Sequence, residues 1–499
     1  TQGVSSAASD VYKRQTQQDE RQETQSSSDG PDRRRLLLAS LLAGAAGLSS
    51  APAQAAVSSF DVKKLQRAQK YIVKNAIILT VDAALGDFEK ADMLVENGKI
   101  KAIGPSLSVG PDVLMVDGTN RILIPGFVDT HSHSYQGLLR GLLPNGVVLP
   151  DYDRDIQKNI TPHYTANDAY QGVLITALGF LDLGTTSMID ISQVAHTRDH
   201  VEANIQALKD SGMRSVFAMS RGIGTQSQYP DGMKTLIPKY FASQDQLTTP
   251  ALAVSVEKET FLAARQYGLK AVLHIRVNSA PLLALSQAGV LREGDLFVHC
   301  AHLNKDAWKI IHDTGGRTSH SPVVEMAMGH GYPAIQDALD AGARPSLSCD
   351  HAATVGMDMF GMMRAVFDIQ RLAIQQRQRN GEKDTQKLLT CREVLQFATL
   401  NGARAAGLDH KIGSLTPGKE ADFLMLRADD LSIWPLNNAY AAAVNLMSAG
   451  HIEGVFVAGK VKKWQGRLLD IDKNKVLREV AKSRDNVLQK AKFAIGLTA

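Results

Sequence analysis

The sequence predicts an α/β fold: a (β/α)8 TIM barrel carrying a small β-sandwich domain built from the N- and C-terminal segments. Three observations lead there. From about residue 123 to about 405, eight short β-rich runs alternate with longer helical patterns. Short strands separated by turn glycines flank that stretch on both sides. Histidines and an aspartate stand at the carboxyl ends of the central runs, where such a barrel gathers its active site.

Composition bounds the answer. The 499 residues are 44% hydrophobic and 21% charged with net charge +4, which is enough for one large globular domain and a smaller one. The slight basic excess draws on arginines near the N-terminus, and no basic-aromatic stripe appears, so no nucleic-acid partner is implied. Cys300, Cys349 and Cys391 are too few and too scattered for a disulfide framework or a thiolate metal site. They read as small buried hydrophobes.

In chain order, residues 1–30 are rich in Ser, Gln and charge without periodicity and read as disordered; residues 5–15 also resemble a translated adapter sequence, a non-native origin. Residues 31–55 read as a secretory signal peptide, with Arg33-Arg34-Arg35, a mildly apolar run and the small-x-small site Ala53-Gln54-Ala55. The paired arginines resemble the twin-arginine class, which predicts an exported, periplasmic or extracellular protein beginning near Ala56. The apolar run is about a dozen residues, too short to span a bilayer, so no membrane span is expected.

Residues 60–122 supply the first part of the sandwich. Residues 71–82 alternate like a half-buried strand, Asn97-Gly98 between two alternating runs (92–103) signals a hairpin, and 112–116 add a short strand. The second part, 412–470, holds short strands at 421–426, 454–458 and 460–468. Between them, 123–411 is the barrel, with strands at 123–129, 185–191, 214–219, 251–256, 270–275, 295–300, 316–320 and 344–350. Helices are predicted at 164–183, 197–212, 257–268 and 304–315, several ending at Gly. The loop 220–250 is long enough to shape a substrate pocket. Residues 471–499 carry an amphipathic helix whose Val476, Val480, Val487 and Ala491 dock onto the body.

The chemistry starts at Asp129-Thr130-His131-Ser132-His133, past the end of the apolar run 122–128. Residues i and i+2 of an extended chain point to one side, so both imidazoles project together. Strand five adds His274, strand six His299, strand seven His320 and strand eight Asp350. One histidine ending an apolar strand is ordinarily a satisfied core residue; five with an aspartate at the same end make a site. Three neutral imidazoles and a carboxylate suit Zn²⁺ or Fe²⁺ and leave a position for water, whose pKa the metal lowers towards about 7. A carboxylate beside that water takes its proton, and a nearby imidazole polarises the electrophile.

A family resemblance rests on Pro125-Gly126-Phe127-Val128-Asp129-Thr130-His131-Ser132-His133 and Leu138-Leu139-Arg140-Gly141. It continues through Ser319-His320-Ser321-Pro322, Ser346-Leu347-Ser348-Cys349-Asp350 and Ile412-Gly413-Ser414-Leu415-Thr416-Pro417-Gly418-Lys419-Glu420-Ala421-Asp422-Phe423. Over about residues 70–470 the chain resembles the amidohydrolase superfamily, in its cytosine deaminase and chlorotriazine hydrolase branch. The resemblance implies that His131, His133, His274 and Asp350 hold one divalent metal ion, Zn or Fe. It makes Asp350 the base towards water and His299, in preference to His302, the residue that polarises the substrate. Gln136, Arg140 and His320 are candidate substrate contacts; for Arg140 a structural ion pair is an equal reading. The implied activity is metal-activated hydroxide attack on a non-peptide C–N bond of a small, cyclic or heteroaromatic molecule. A homodimer is among the assemblies the resemblance allows.

Two departures qualify it. Binuclear relatives carry a carboxylated lysine ending strand four, and residues 251–256 offer none before Lys258, which favours one metal. Deaminases of the branch read His-x-x-Glu on strand five, where this chain has His274-Ile275-Arg276-Val277. Without that carboxyl, proton delivery to the leaving nitrogen loses roughly 10²- to 10⁴-fold. Glu325, past strand seven, is either the replacement carboxyl or a surface or cap residue. The alternatives are a hydrolase of another activated carbon (a dechlorinase or an amide or carbamate hydrolase) or an inactive barrel kept for binding.

Overall fold

A computed structural model describes residues 61–243, 245–276, 278–383 and 387–498. The readings of residues 1–30 and 31–55 lie outside these described residues. So does Val277.

Before the barrel come β1 (Lys70–Ile78), β2 (Phe88–Glu96), β3 (Lys99–Gly104), β4 (Leu114–Asp117) and β5 (Arg121–Pro125). The barrel strands are β6 (Phe127–Ser132), β7 (Thr185–Ser192), β8 (Arg214–Met219), β9 (Thr248–Val254), β10 (Ala271–Ile275), β11 (Leu296–His299), β12 (Arg317–His320) and β13 (Pro345–Leu347). After it come β14 (Phe423–Arg427), β15 (Ile452–Val457), β16 (Lys460–Trp464) and β17 (Arg467–Leu468).

The flanking strands form one nine-stranded mixed sheet, ordered β17-β16-β15-β14-β5-β1-β2-β3 with β4 against β1. The N- and C-terminal segments meet where β5 pairs antiparallel with β14, Ile124 opposite Leu424. Asn97 and Gly98 both have positive φ, 51° and 78°, as the tight β2–β3 hairpin requires.

β6 to β13 lie side by side in sequence order, each parallel to the next. Every residue of β6, β7 and β8 is buried, as strands covered on both faces are. Gly126 joins β5 to β6 at a crossing where a Cβ would lie 2.1 Å from Thr186 Oγ1, so the position tolerates no side chain. Helices return the chain between strands: Ala166–Asp182 opens on a Thr165/Asp168 capping box, and Arg198–Ser211 ends at Gly212 with φ 64°.

Arg214 ties the barrel to the mixed sheet. Its guanidinium, 1% exposed, donates Nε to Asp422 Oδ2 at 2.8 Å and Nη2 to Asp422 Oδ1 at 3.0 Å, and also meets Glu420. The C-terminal helix Lys473–Lys490 buries Val487 and Leu488, and Asn486 Nδ2 donates to Asp168 Oδ2 at 2.9 Å.

Several helices among the described residues were not visible in the pattern, and two of them follow β8 and β13. Met233–Tyr240 lies inside the expected loop 220–250, where Pro238 reads as a breaker but sits in its last turn. Met359–Arg379 follows β13, with the Asp358 carboxylate accepting the Phe360 and Gly361 N–H groups at 3.2 Å each. No helix among the described residues is long and apolar enough to cross a membrane.

Candidate active site

The barrel closes at the histidine pair itself. Past the end of β13 the chain leaves the strand and Asp350 takes a left-handed φ of 65°. There it bridges Ser132: His133 N–H donates to the Asp350 carbonyl at 2.8 Å, and Asp350 N–H donates to the His131 carbonyl at 3.0 Å. Asp129 fastens the same seam from within, accepting the Cys349 N–H at 2.7 Å and the His131 N–H at 3.2 Å. The residues carrying the chemistry are thus also those that join the first barrel strand to the last.

Three imidazoles converge there. His131 Nε2 is 3.1 Å from His133 Nε2 and 3.1 Å from His274 Nε2. Asp350 Oδ1 is 3.5 Å from His131 Nε2 and 3.6 Å from His133 Nε2. His133 Nδ1–H donates to the Ile191 carbonyl at 3.1 Å, which fixes its tautomer and leaves Nε2 a lone pair.

Burial, then the neighbouring imidazoles, hold His131 and His274 well below the usual range, and burial lowers His133 to about 4. All three are therefore neutral at pH 7 and cannot hydrogen-bond to one another by lone pairs alone. Burial, reinforced by Glu325, pushes Asp350 well above the usual carboxylate range. The donor set fits a dication, which satisfies the lone pairs and holds Asp350 ionised. Nitrogens about 2.0–2.1 Å from a tetrahedral ion stand roughly 3.3 Å apart, close to the spacing found.

His299 ends β11 with φ 70°, and its Nε2 is 3.7 Å from Asp350 Oδ2. Its other nitrogen, Nδ1, is 3.1 Å from Glu325 Oε1. Glu325 Oε1 also accepts the Ser321 N–H at 2.8 Å, Oε2 has no hydrogen-bond partner, and burial raises the carboxyl to about 7. His133, His274, His299 and Asp350 open into a cavity of ≈ 520 Å³ whose walls include Tyr152, Gln157, Gln193, Arg276, His330 and His351.

The protein-family comparison matches residues 122–462 of this chain to the amidohydrolase family. The chain belongs to that family. Curated relatives of this amidohydrolase include a 5′-deoxyadenosine deaminase of Methanosarcina mazei, 26% identical over 84% of this chain and 98% of the relative. A 5-methylthioadenosine/S-adenosylhomocysteine deaminase of Caldicellulosiruptor saccharolyticus is 23% identical over 84% of this chain and 99% of the relative. Among solved structures, an adenosine deaminase of Xanthomonas campestris with bound zinc superposes with TM-score 0.75 at 20% identity, covering 84% of this chain and 98% of that one. A variant of the atrazine chlorohydrolase of Arthrobacter aurescens, complexed with zinc and atraton, gives 0.74 at 20% identity, over 83% of this chain and 100% of that one. At that identity these structures establish the barrel architecture.

The relatives correct one expectation. They are deaminases matched over 98 to 99% of their own length, and that similarity speaks against the export read from residues 31–55. Periplasmic or extracellular localisation is not retained.

Within the amidohydrolase, the structure brings His131, His133, His274, His299 and Asp350 together, with Glu325 directly behind His299. It sets the other candidates apart. Gln136 is buried in the single-turn segment Ser134–Leu139 and donates to the Tyr135 and Tyr152 hydroxyls at 3.0 and 2.5 Å, behind the cavity wall. Arg140, at the end of that segment, is carried to the far side, where Nη2 donates to the Ile175 carbonyl at 3.0 Å in place of substrate or an ion pair. His320 points beneath the site, Nε2 3.1 Å from Thr318 Oγ1. His302 is exposed, 2.9 Å from the His330 carbonyl.

Sequence reasoning missed Arg276, although the signal was present: it stands two residues after His274, just past the carboxyl end of β10. Tyr152 and Gln157 were missed although the buried residues of their segment, Tyr152, Ile156 and Ile160, recur every four positions as on one helix face.

Proposed function

We propose that this amidohydrolase is a mononuclear, zinc-dependent hydrolase that removes an amine from a small heteroaromatic substrate. The convergence of three neutral Nε2 lone pairs with the Asp350 carboxylate at the floor of the cavity carries the reading. The deaminase names of the relatives support the bond type.

His131, His133, His274 and Asp350 would hold the ion. When bound, it supplies the Lewis acidity that makes a water nucleophilic near neutral pH. The Asp350 carboxylate accepts the proton of the attacking water, and His299 Nε2 faces the charge that develops on the substrate. The leaving nitrogen needs a proton, and Val277 offers none. With its carboxyl raised to about 7, Glu325 can hold a proton against His299 Nδ1 and pass it through the ring to Nε2. Water oxygen replaces the amine on the ring carbon, and ammonia leaves.

A second reading keeps the site but expels a group needing no proton, such as chloride; the valine at 277 favours it. One experiment addresses both. Metal content of purified protein is measured, followed by ammonia and chloride release from aminated and chlorinated heterocycles. About one zinc or iron per chain with ammonia release is expected. Protein without stoichiometric metal would sink the hydrolase reading, and chloride release alone would replace the deaminase one.

A further inference from the structure

The charges around the cavity do not balance. Arg276 lines it two residues beyond His274, and no described carboxylate lies within ion-pair distance of its guanidinium. The acidic groups that face it are engaged elsewhere. Asp153, also in the wall, is 2.6 Å from Lys158 Nζ. The Asp350 oxygens lie 3.5 to 3.7 Å from His131, His133 and His299. The field of Arg276 crosses the open space, lowering the basicity of His133, His274, His299 and His330 after burial has already done so.

Two other wall residues have unused hydrogen-bonding capacity. His330 and His351, 5% and 2% exposed, both lack a partner at Nδ1. Burial keeps both rings neutral, so Arg276 is a fixed cation in a wall of neutral donors and acceptors. With a dication at the histidines and one negative charge on Asp350, an arriving anion meets two uncompensated positive centres. A half-buried guanidinium with no counter-ion is costly unless a ligand supplies one.

We propose that Arg276 is the specificity-determining residue of this enzyme, receiving a carboxylate carried by the heteroaromatic amine. This deepens the hydrolase reading above and rests on it. Arg276, one residue past the end of β10, and His274 both line the cavity, so a ring lying between them meets the metal ligands with one end and the guanidinium with the other.

The probes are an aminonicotinate with amine and carboxylate across the pyridine ring, and the matching uncharged aminonicotinamide. Binding to metal-loaded protein is measured by calorimetry alongside ammonia release, for wild type, Arg276→Gln and Arg276→Lys. Metal content and melting temperature report whether each variant is folded. Wild type should bind the carboxylate about 10- to 100-fold more tightly than the amide, as a charge-assisted contact provides. Arg276→Gln should erase that difference, and Arg276→Lys should restore part of it.

Equal affinities in wild type, no detectable carboxylate binding, or a preference that survives Arg276→Gln would each overturn the proposal, the first two without recourse to any variant. Ammonia release from neutral amines with no carboxylate preference rejects the anion site alone. An Arg276-dependent preference without ammonia release from any compound rejects the deaminase reading and keeps the anion site.

Discussion

Replacing Glu325 by Gln separates a proton carrier from a structural prop at nearly constant volume. The carboxyl is 1% exposed, with Oε1 shared between Ser321 N–H and His299 Nδ1 and Oε2 unpartnered. Burial raises it from 4.5 to about 7. Between those values the folded chain keeps a proton that the unfolded chain has released. Folded stability is therefore fully present below pH 4.5 and falls as pH rises through about 7. At about 1.4 kcal/mol per pH unit, the loss over this interval is about 3 kcal/mol. Gln does not titrate, so the variant lacks this slope, and it also loses the Glu325 charge that reinforces the rise of Asp350. Urea unfolding of metal-free wild type and Glu325→Gln, across a pH series, should give a difference in stability that falls by that order and then levels. Parallel curves would refute the raised carboxyl. Turnover is the second readout. Gln cannot pass a proton to His299, so kcat at pH 7 should fall roughly 10²-fold. Near-wild-type turnover would remove Glu325 from the mechanism.

Two further substitutions test how the fold holds the site. Asp422→Asn leaves Arg214 buried without a full counter-charge, and the urea-derived stability should drop by about 3–5 kcal/mol; a loss under about 1 kcal/mol would show that Glu420 alone suffices. Gly172→Ala lies in the helix Ala166–Asp182, where alanine ordinarily gains about 1 kcal/mol over glycine. Here the added Cβ would stand 2.2 Å from the Tyr135 carbonyl oxygen, so the melting temperature should fall, and a rise would contradict that close approach.

The barrel strands were legible because short β-rich runs alternate with helical patterns, and the runs appear in the order in which they pair. The hairpin at Asn97-Gly98 was legible for a local reason, since both residues accept positive φ. The same locality explains the failures. Gln136 and Arg140 follow the histidine pair closely, yet the turn Ser134–Leu139 rotates them away from the cavity. Proximity in sequence predicts direction only while the backbone stays extended. Arg276 lies one residue past the end of β10, two positions from His274, so its closeness to a strand end would have flagged it.

By itself, the sequence determined the strand-and-helix alternation, the same-side pairing of His131 with His133, and the candidate residues at the strand ends. These depend on periodicity and residue chemistry within a few positions. Only the tertiary structure decided that Asp350 closes the barrel against His131 and His133, that Glu325 stands behind His299, and that no described acid pairs with Arg276. Those relations join residues up to about two hundred positions apart, and they exist only once β13 returns to β6. Burial then does what no local pattern encodes, holding the imidazoles neutral and raising the carboxyls of Asp350 and Glu325.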